Sequence, residues 1–309
     1  MMGRYVARRL LQMIPVFIGT TLLIFLMVHW LPGDPIKALW GDKVPDPAQV
    51  EALRHKYGFD LPLWHQYWNY MTDLFQGNFG ETFGGRQVSD VMGEAFPVTI
   101  RLAVVAFVIE VVLGITLGVF AGLKAGKALD TAVLVFTLLV ISVPVFVLGY
   151  IFQTVFGVQL GWVTPNVRNS EDITELILPG AVLGSLSLAY VARLTRTTIS
   201  ENLRSDYMRT ALAKGLPRRR IVGVHLLRNS LIPVVTFLGT DIGALMGGAI
   251  VTEGIFNVQG VGQQLYRAVN QGEGTTTVGI VTVLVLVFLF TSLIVDLLYA
   301  VLDPRIRYA

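Results

Sequence analysis

Six stretches of this chain are apolar and long enough to cross a lipid bilayer as helices, a crossing that takes about 20 residues. A composition of 53% hydrophobic and 15% charged residues also fits a membrane protein and not a soluble one. A transmembrane barrel would show alternating segments of about 10 residues instead. We therefore predict an all-α membrane protein that forms a single domain over residues 1–309. The predicted transmembrane helices cover residues 10–31, 98–123, 131–156, 176–194, 231–255 and 278–302.

Positive charge is distributed unevenly among the segments that connect these helices. Of the 24 Lys and Arg residues, 16 lie before the first span, in 124–130, in 193–230 or after the last span. Because cytoplasmic loops carry the excess of Lys and Arg, both termini of this multi-pass protein are predicted to be cytoplasmic. The formal net charge is only +3, so we expect these side chains to meet anionic lipid or protein and not nucleic acid.

The sequence lacks the residues that several chemistries require. It contains no cysteine, which excludes disulfides, thiolate metal sites and a cysteine nucleophile. His29, His55 and His65 share no ligand spacing, so we expect no metal site. No phosphate-binding loop of the Gly-x4-Gly-Lys-Ser/Thr type occurs, and no Ser–His or paired-Asp arrangement at membrane depth indicates an intramembrane protease. We therefore expect that the chain is not an enzyme.

Residues 32–97 form the longest segment on the outer side, and local signals predict that this segment is helical. Asp46 can cap a helix that ends near Gly58, and a second helix is predicted to begin at Pro62. The second helix would present an aromatic face, which is either a landing surface for a partner or substrate, or an interfacial aromatic belt. Its residues are Trp64, Trp68, Met71 and Phe75.

The cytoplasmic segment 195–230 has no long apolar run, yet its helix signals are well defined. Ser205 or Asp206 can cap a helix, Gly215 can end that helix in a left-handed conformation, and Pro217 can open the next one. The segment is thus predicted to form a helix–turn–helix elbow. Its exposed side would either contact anionic lipid or fit a protein socket, and the ordered caps favour the socket. The basic residues of this side are Arg209, Lys214, Arg218, Arg219 and Arg220.

Three acidic residues fall inside predicted spans. Asp241 lies near mid-membrane, where an ionised side chain costs roughly 2.5–3.5 kcal/mol, so it should face a wet cavity or a polar partner. Asp241 either lines a pathway and meets a cationic group there, or forms a structural hydrogen bond to a neighbouring helix. Glu110 and Asp296 pose the same choice. Gly114 and Gly118 favour burial of Glu110 against a helix, and Asp296 is close enough to its span end to pair locally.

Small and kink-forming residues also mark the spans. A ridge of small residues lets helices approach closely in lipid, and the fifth span carries one at Gly239, Gly243 and Gly247. The sequence Ser142-Val-Pro144 is expected to kink the third span and leave carbonyl groups free to line a cavity. We predict that polar side chains face such a cavity at Ser142, Gln153 and Tyr190.

The run from Asp206 to Pro233 resembles the coupling-loop motif of ABC importer permeases, and in particular that of the dipeptide/oligopeptide permease family. Ala211, Gly215 and Leu227 match the general pattern of Glu-Ala-Ala, three residues, Gly, nine residues and Ile-x-Leu-Pro. The departures from it are typical of the peptide subfamily and occur at Arg209, Thr210, His225 and Arg228. Other family-like stretches extend the resemblance over nearly the whole chain, at 31–35, 96–99, 252–256, 260–262 and 302–305.

The resemblance implies a permease subunit that forms half of the pathway of an ATP-driven peptide importer in the bacterial inner membrane, with the first-type importer fold. It implies four kinds of partner: a second homologous permease, two ATPase subunits that bind ATP and Mg²⁺, an extracytoplasmic substrate-binding protein, and membrane lipid. It also implies an outer-gate role for Glu253. The residues that would couple to the ATPase are Tyr207, Arg209, Thr210, Ala211, Lys214, Gly215, Leu216 and Arg218.

Two alternatives remain open at this point. The cargo could be glutathione, a nickel chelate or haem instead of di- or oligopeptides, because an external binding protein would carry most of the specificity. A stand-alone secondary transporter could use the intramembrane acids as a proton relay. Internal inverted repeats would support such a transporter, and we find none in the sequence.

Overall fold

The computed structural model describes residues 2–30, 46–56 and 58–302. Within these residues the secondary structure is helical, apart from one isolated bridge between Glu81 and Gln87, and the predicted all-α class is confirmed. The family-like stretches at 31–35 and 302–305 lie wholly or largely outside the described residues, as does the side chain of Asp296.

Three helices are long and apolar enough to cross a membrane on their own: Val6–Trp30, Val88–Leu123 and Gly274–Leu293. Three further pairs of helices reach the required length only together, and each pair is bent at a short break. The described chain therefore offers three spans, or up to six if each bent pair crosses once. The pairs are Ala128–Ser142 with Val145–Gln159, Ile173–Leu183 with Ser185–Asn202, and Arg218–Ser230 with Ile232–Gly247.

Two of these breaks fall at a proline or a glycine. The first bends the chain by 106° at Val143 and Pro144, because proline lacks an amide hydrogen and forces the residue before it into an extended conformation. This confirms the predicted kink. The second, a bend of 61° at Gly184, was not predicted. A methyl group at Gly184 would lie 2.8 Å from the carbonyl oxygen of Ala106, so only glycine permits this approach.

The helices are numbered here in chain order. Those from α1 to α7 are α1 (Met2–Trp30), α2 (Pro47–Lys56), α3 (Leu63–Phe75), α4 (Val88–Leu123), α5 (Ala128–Ser142), α6 (Val145–Gln159) and α7 (Ile173–Leu183). Those from α8 to α13 are α8 (Ser185–Asn202), α9 (Asp206–Ala213), α10 (Arg218–Ser230), α11 (Ile232–Phe256), α12 (Val261–Asn270) and α13 (Gly274–Leu302). A π-helical turn, Glu110–Gly114, interrupts α4.

Contacts divide the chain into two compact units, one formed by the residues up to Pro97 and from Gly260 onward, the other by Val98–Gln259. In the first unit α1 packs against α13, and α3 is joined to α1 through Tyr67, whose hydroxyl lies 3.0 Å from that of Thr21. Burial raises the pKa of Tyr70 to about 12, and its hydroxyl is hydrogen-bonded to Thr282.

The predicted caps in the outer segment are confirmed. The carboxylate of Asp46 accepts a hydrogen bond from the amide of Ala48 at 3.0 Å, and the first of the two helices ends before Gly58, which has φ +67°. The second helix follows Pro62. On it Trp64, Trp68 and Phe75 are exposed, so within this unit the aromatic face is not covered.

In the second unit, α4 and α8 cross at very close range. A methyl group at Gly114, Gly118 or Gly122 would come within 2.5–2.8 Å of side-chain carbons on α8. The carbons belong to Val191, Thr195 and Ile199, which share the same four-residue spacing. This ridge of small residues confirms the predicted burial of the Gly114–Gly118 face against a helix.

Candidate functional site: the elbow and a buried carboxyl pair

The elbow consists of α9, a turn over 214–217 and the start of α10. At the end of α9 the amide of Gly215 donates to the carbonyl of Leu212 at 2.9 Å, and the amide of Leu216 donates to that of Ala211 at 3.4 Å. With Gly215 at φ +68°, these two bonds form a Schellman motif. The predicted left-handed end of the helix is confirmed, and Pro217 precedes α10 as predicted.

The other end of α9 differs from the simplest cap. Ser205 occupies the N-cap position, but its hydroxyl donates to the carbonyl of Asn202 at 2.6 Å and makes no bond to the helix amides. In addition, α8 continues to Asn202, so the first residues of the predicted cytoplasmic segment 195–230 belong to this long helix. The elbow follows α8 after a short turn.

One side of the elbow is anchored in the chain. Met208 and Ala211 are buried in a cluster with Ile199, Ile221 and Leu226, and Leu216 packs against it. Ala211 was predicted to face an ATPase, but its side chain points into this cluster and is only 6% exposed. Its small size serves the packing of the elbow on its own helices. The outward-facing members of the predicted set are Tyr207, Arg209, Thr210, Lys214, Gly215 and Arg218.

The outward side is basic with an apolar patch. Arg209 lies 3.5 Å from Asp206, but both side chains are strongly exposed, and such a pair contributes little. Leu212 is 63% exposed and was not predicted to belong to the site. The signal for Leu212 in the sequence is that this large apolar residue of α9 lies outside the stripe formed by Met208 and Ala211, which is buried.

A second feature is a pair of buried carboxyl groups. Glu110 lies on the π-helical turn of α4 and is fully buried, and Asp241 on α11 is 8% exposed. The Ser187 hydroxyl on α8 donates to Oδ1 of Asp241 at 3.0 Å. The Glu110 carboxyl lies beside Asp241 and Ser187. The two acids are 131 positions apart, so no sequence spacing could have indicated this pairing.

The remaining predicted pathway residues make contacts of their own. The Ser142 hydroxyl donates to the Leu138 carbonyl within its own helix at 2.7 Å. Tyr190 is 55% exposed, with its ring centre 6.2 Å from that of Phe237. The side chain of Glu253 is fully buried and accepts a hydrogen bond from Thr99 at 2.7 Å.

Gln153 acts as a tether in this structure. Its side-chain amide nitrogen lies within hydrogen-bond distance of the Pro165 carbonyl, the Asn166 side chain and the Ile255 carbonyl, at 3.0, 2.8 and 3.3 Å. The amide group therefore joins α6 to the following loop and to the end of α11. A Gln153 side chain that faces a cavity freely, as predicted, does not fit these contacts.

One buried ion pair was not predicted from the sequence. Asp130, at the start of α5, accepts two hydrogen bonds from the Arg196 guanidinium, both of 2.8 Å, and a third from the amide of Gly126. The Asp130 side chain is only 3% exposed. Arg196 was assigned to a loop, whereas it lies on α8 and connects that helix to α5.

Comparison with known proteins agrees with this architecture. Residues 114–308 match the family described as binding-protein-dependent transport system inner membrane component, and residues 2–103 match the N-terminal family of such membrane components. The di/tripeptide transport system permease protein DppB of Pseudomonas aeruginosa is 38% identical over 98% of both chains. The glutathione transport system permease protein GsiC of Escherichia coli K12 is 38% identical over 99% of this chain and 100% of its own.

Proposed function

The chain belongs to the family of binding-protein-dependent transport system inner membrane components, and from this membership we propose how it couples to its partners and what it carries. It is a membrane permease subunit of an ABC importer. We propose that it crosses the inner membrane six times with both termini in the cytoplasm. The uneven distribution of Lys and Arg between the connecting segments supports this orientation.

The elbow is the proposed docking site for an ATPase subunit. The observation that carries this proposal is the exposed turn at Gly215, which joins α9 to α10 beside a buried apolar cluster that includes Ile199 of α8. Basic side chains flank the turn, at Arg209, Lys214 and Arg218. A rigid lever of this kind can transmit a movement of its socket to α8. Arginine side chains suit acidic groups in such a socket, because the guanidinium binds carboxylates through paired hydrogen bonds.

The complete transporter would contain this chain, a second homologous permease, two ATPase subunits that bind ATP and Mg²⁺, and an extracytoplasmic substrate-binding protein. The chain contains no phosphate-binding loop, so the energy of ATP has to enter from a partner. Transport is then an exchange between two arrangements of the permease whose populations depend on the nucleotide state of the ATPases.

We propose short peptides as the cargo. DppB and GsiC are named for di/tripeptide and glutathione transport, and these substrates share a small peptide backbone. Tyr190 and Ser142 are exposed in this chain and are our candidates for contact with cargo. Gln153 and Glu253 would act indirectly, because their side chains hold the neighbouring backbone and Thr99 in place. Asp241 would contribute through its buried position beside Glu110.

Reconstituted vesicles provide the test. Vesicles with the whole transporter and ATP on the elbow side should accumulate a labelled dipeptide only when the binding protein is present outside. If the vesicles accumulated glutathione, a nickel chelate or haem and not the dipeptide, the proposed cargo would be wrong and the accumulated compound would take its place. Nucleotide-independent accumulation by vesicles that hold this chain alone would contradict the permease mechanism itself.

Charge reversal tests the docking surface. The double variant Arg209→Glu and Lys214→Glu should lose ATP-driven uptake while the chain remains in the membrane. Lys127→Glu is the matched control, because Lys127 is exposed on a different connecting segment with the same predicted orientation. Equal loss in the control would assign the effect to membrane charge and not to the elbow.

A further inference from the structure

The carboxyl pair in the second unit has too few hydrogen-bond donors. Of its four carboxyl oxygens, three are buried without a hydrogen-bond partner among the described residues, namely both oxygens of Glu110 and Oδ2 of Asp241. Within the part of the chain that the structure describes, the only donor to these oxygens is the Ser187 hydroxyl, which donates to Oδ1 of Asp241 at 3.0 Å. As ionised groups, Glu110 and Asp241 can only accept hydrogen bonds, so neither can satisfy the other.

No cation among the described residues compensates the pair. The charged and titratable side chains on the surrounding helices point elsewhere or are already engaged. On α8, Arg196 is bound to Asp130, and the others are exposed: Tyr190, Arg193 and Glu201. In the second unit, those on α4, α6, α7 and α11 are Arg101 and Tyr150, which are exposed, Glu175, which accepts backbone amides, and Glu253, which accepts from Thr99.

Two like charges with unsatisfied oxygens in a buried site are strongly unfavourable. One additional proton relieves both problems, because it neutralises one charge and supplies a donor that joins one oxygen of Glu110 to Oδ2 of Asp241. A metal ion fits less well: Mg²⁺ and Ca²⁺ take six or more oxygen ligands, and only three free carboxylate oxygens and one hydroxyl are present here.

We propose that Glu110 and Asp241 form a proton-binding site, in which one proton taken from water is held between the two carboxyl groups. Glu110 is the donor in this arrangement, because Asp241 already accepts from Ser187 and is the better-solvated carboxylate. Glu110 lies on α4, Ser187 on α8 and Asp241 on α11, so the bound proton joins three helices of one unit. When the proton returns to water, two adjacent charges remain, and their repulsion favours separation of α4 from α11.

This inference goes beyond the proposed function, since it concerns a ligand of the permease that is neither cargo nor nucleotide. It makes the arrangement of the three helices dependent on pH. Acid conditions should keep the pair closed, and alkaline conditions should open it.

Infrared spectroscopy of the purified transporter in lipid tests the site without requiring transport. The wild-type complex should show a carbonyl-stretch band of a protonated carboxylic acid that shifts in D₂O and disappears as the pH is raised. The band should be lost in Glu110→Gln, and it should be lost or shifted in Asp241→Asn. Glu253→Gln, which alters the other fully buried glutamate of this unit, should leave that band in place.

The variants Glu110→Gln and Asp241→Asn together keep the test informative if one of them fails to assemble. Monodisperse elution of each complex is checked before the spectra are recorded. Absence of a protonated-acid band in the wild type would overturn the proposal, as would persistence of the band in both variants. A band that responds to replacement of Na⁺ by K⁺ or choline at constant pH would assign the site to a metal cation instead. Failure of peptide uptake leaves this spectroscopic result unaffected, so it contradicts only the proposed function.

Discussion

The turn at Gly215 allows a sharp prediction, because steric and conformational effects can be separated there. A methyl group built at Gly215 would meet no atom within 4 Å, so replacement by alanine creates no clash inside the chain. The backbone has φ +68°, however, and a side chain in this left-handed conformation costs roughly 1–2 kcal/mol. An energy of this size corresponds to a factor of about 5–30 in the population of the turn.

If docking requires the turn, the initial rate of ATP-driven dipeptide uptake by Gly215→Ala should fall by up to this factor. Gly215→Asn is the matched control, because asparagine adopts the left-handed conformation far more readily than other residues with a side chain. We expect the asparagine variant to retain most of the wild-type rate. Both variants should be present in the membrane and in the assembled complex in normal amounts, since Gly215 is exposed and makes no core contact.

The measurement is uptake into vesicles at equal subunit content, together with the ATPase rate of the complex. Wild-type uptake by Gly215→Ala would refute the argument from backbone conformation. If the asparagine and alanine variants lost activity equally, the requirement would be for the absence of a side chain against the socket, and the conformational argument would again be wrong.

Three further predictions concern the second unit. Gly118→Ala should destabilise the α4–α8 crossing by about 1–3 kcal/mol, because the new carbon would lie 2.5 Å from Cβ of Thr195. Thermal unfolding of the purified chain measures the loss of stability. Asp130→Asn should lower stability by roughly 1.5–3 kcal/mol in the same assay, since it weakens charge-assisted hydrogen bonds to Arg196. Hydrogen bonds from Thr174 hold the pKa of Asp172 below its usual range, so this cap of α7 is intact at neutral pH and is lost only as the pH falls through the lowered pKa. Hydrogen exchange at the Thr174 amide should show that loss in the wild type and not in Asp172→Asn.

Each of these predictions has its own control. Gly247→Ala should unfold like the wild type, because a methyl group there meets no atom within 4 Å in this chain. The close helix packing predicted at Gly247 thus finds no neighbour among the described residues, and that predicted at Gly239 and Gly243 stays a prediction. For the ion pair, equal stability of Asp130→Asn and the wild type would mean that burial cancels the attraction. Protection at Thr174 that does not change with pH would contradict the cap.

Features that depend on neighbouring residues were predictable from the sequence. The all-α class follows from the apolar stretches, because a backbone in lipid has to form its hydrogen bonds within a helix or a closed barrel. The bend at Pro144 and the turn at Gly215 follow equally directly, because a missing amide hydrogen and a missing side chain act on the chain at that position. Asp46 and Pro62 mark helix starts for the same reason.

The identity of contact partners was decided only by the tertiary structure. The sequence around Glu110 does not indicate that Asp241 lies beside this residue in the fold. The sequence around Ala211 does not indicate that the Ala211 side chain points inward. The close glycine crossing was partly foreseen at Gly114 and Gly118, but its partner helix was not. The carboxyl pair and the glycine crossing join residues more than 70 positions apart, whereas Ala211 meets residues within 15 positions of it, and all of these contacts depend on how whole helices pack. A local pattern determines which face of a helix is small, polar or apolar, whereas only the packed chain determines what that face meets.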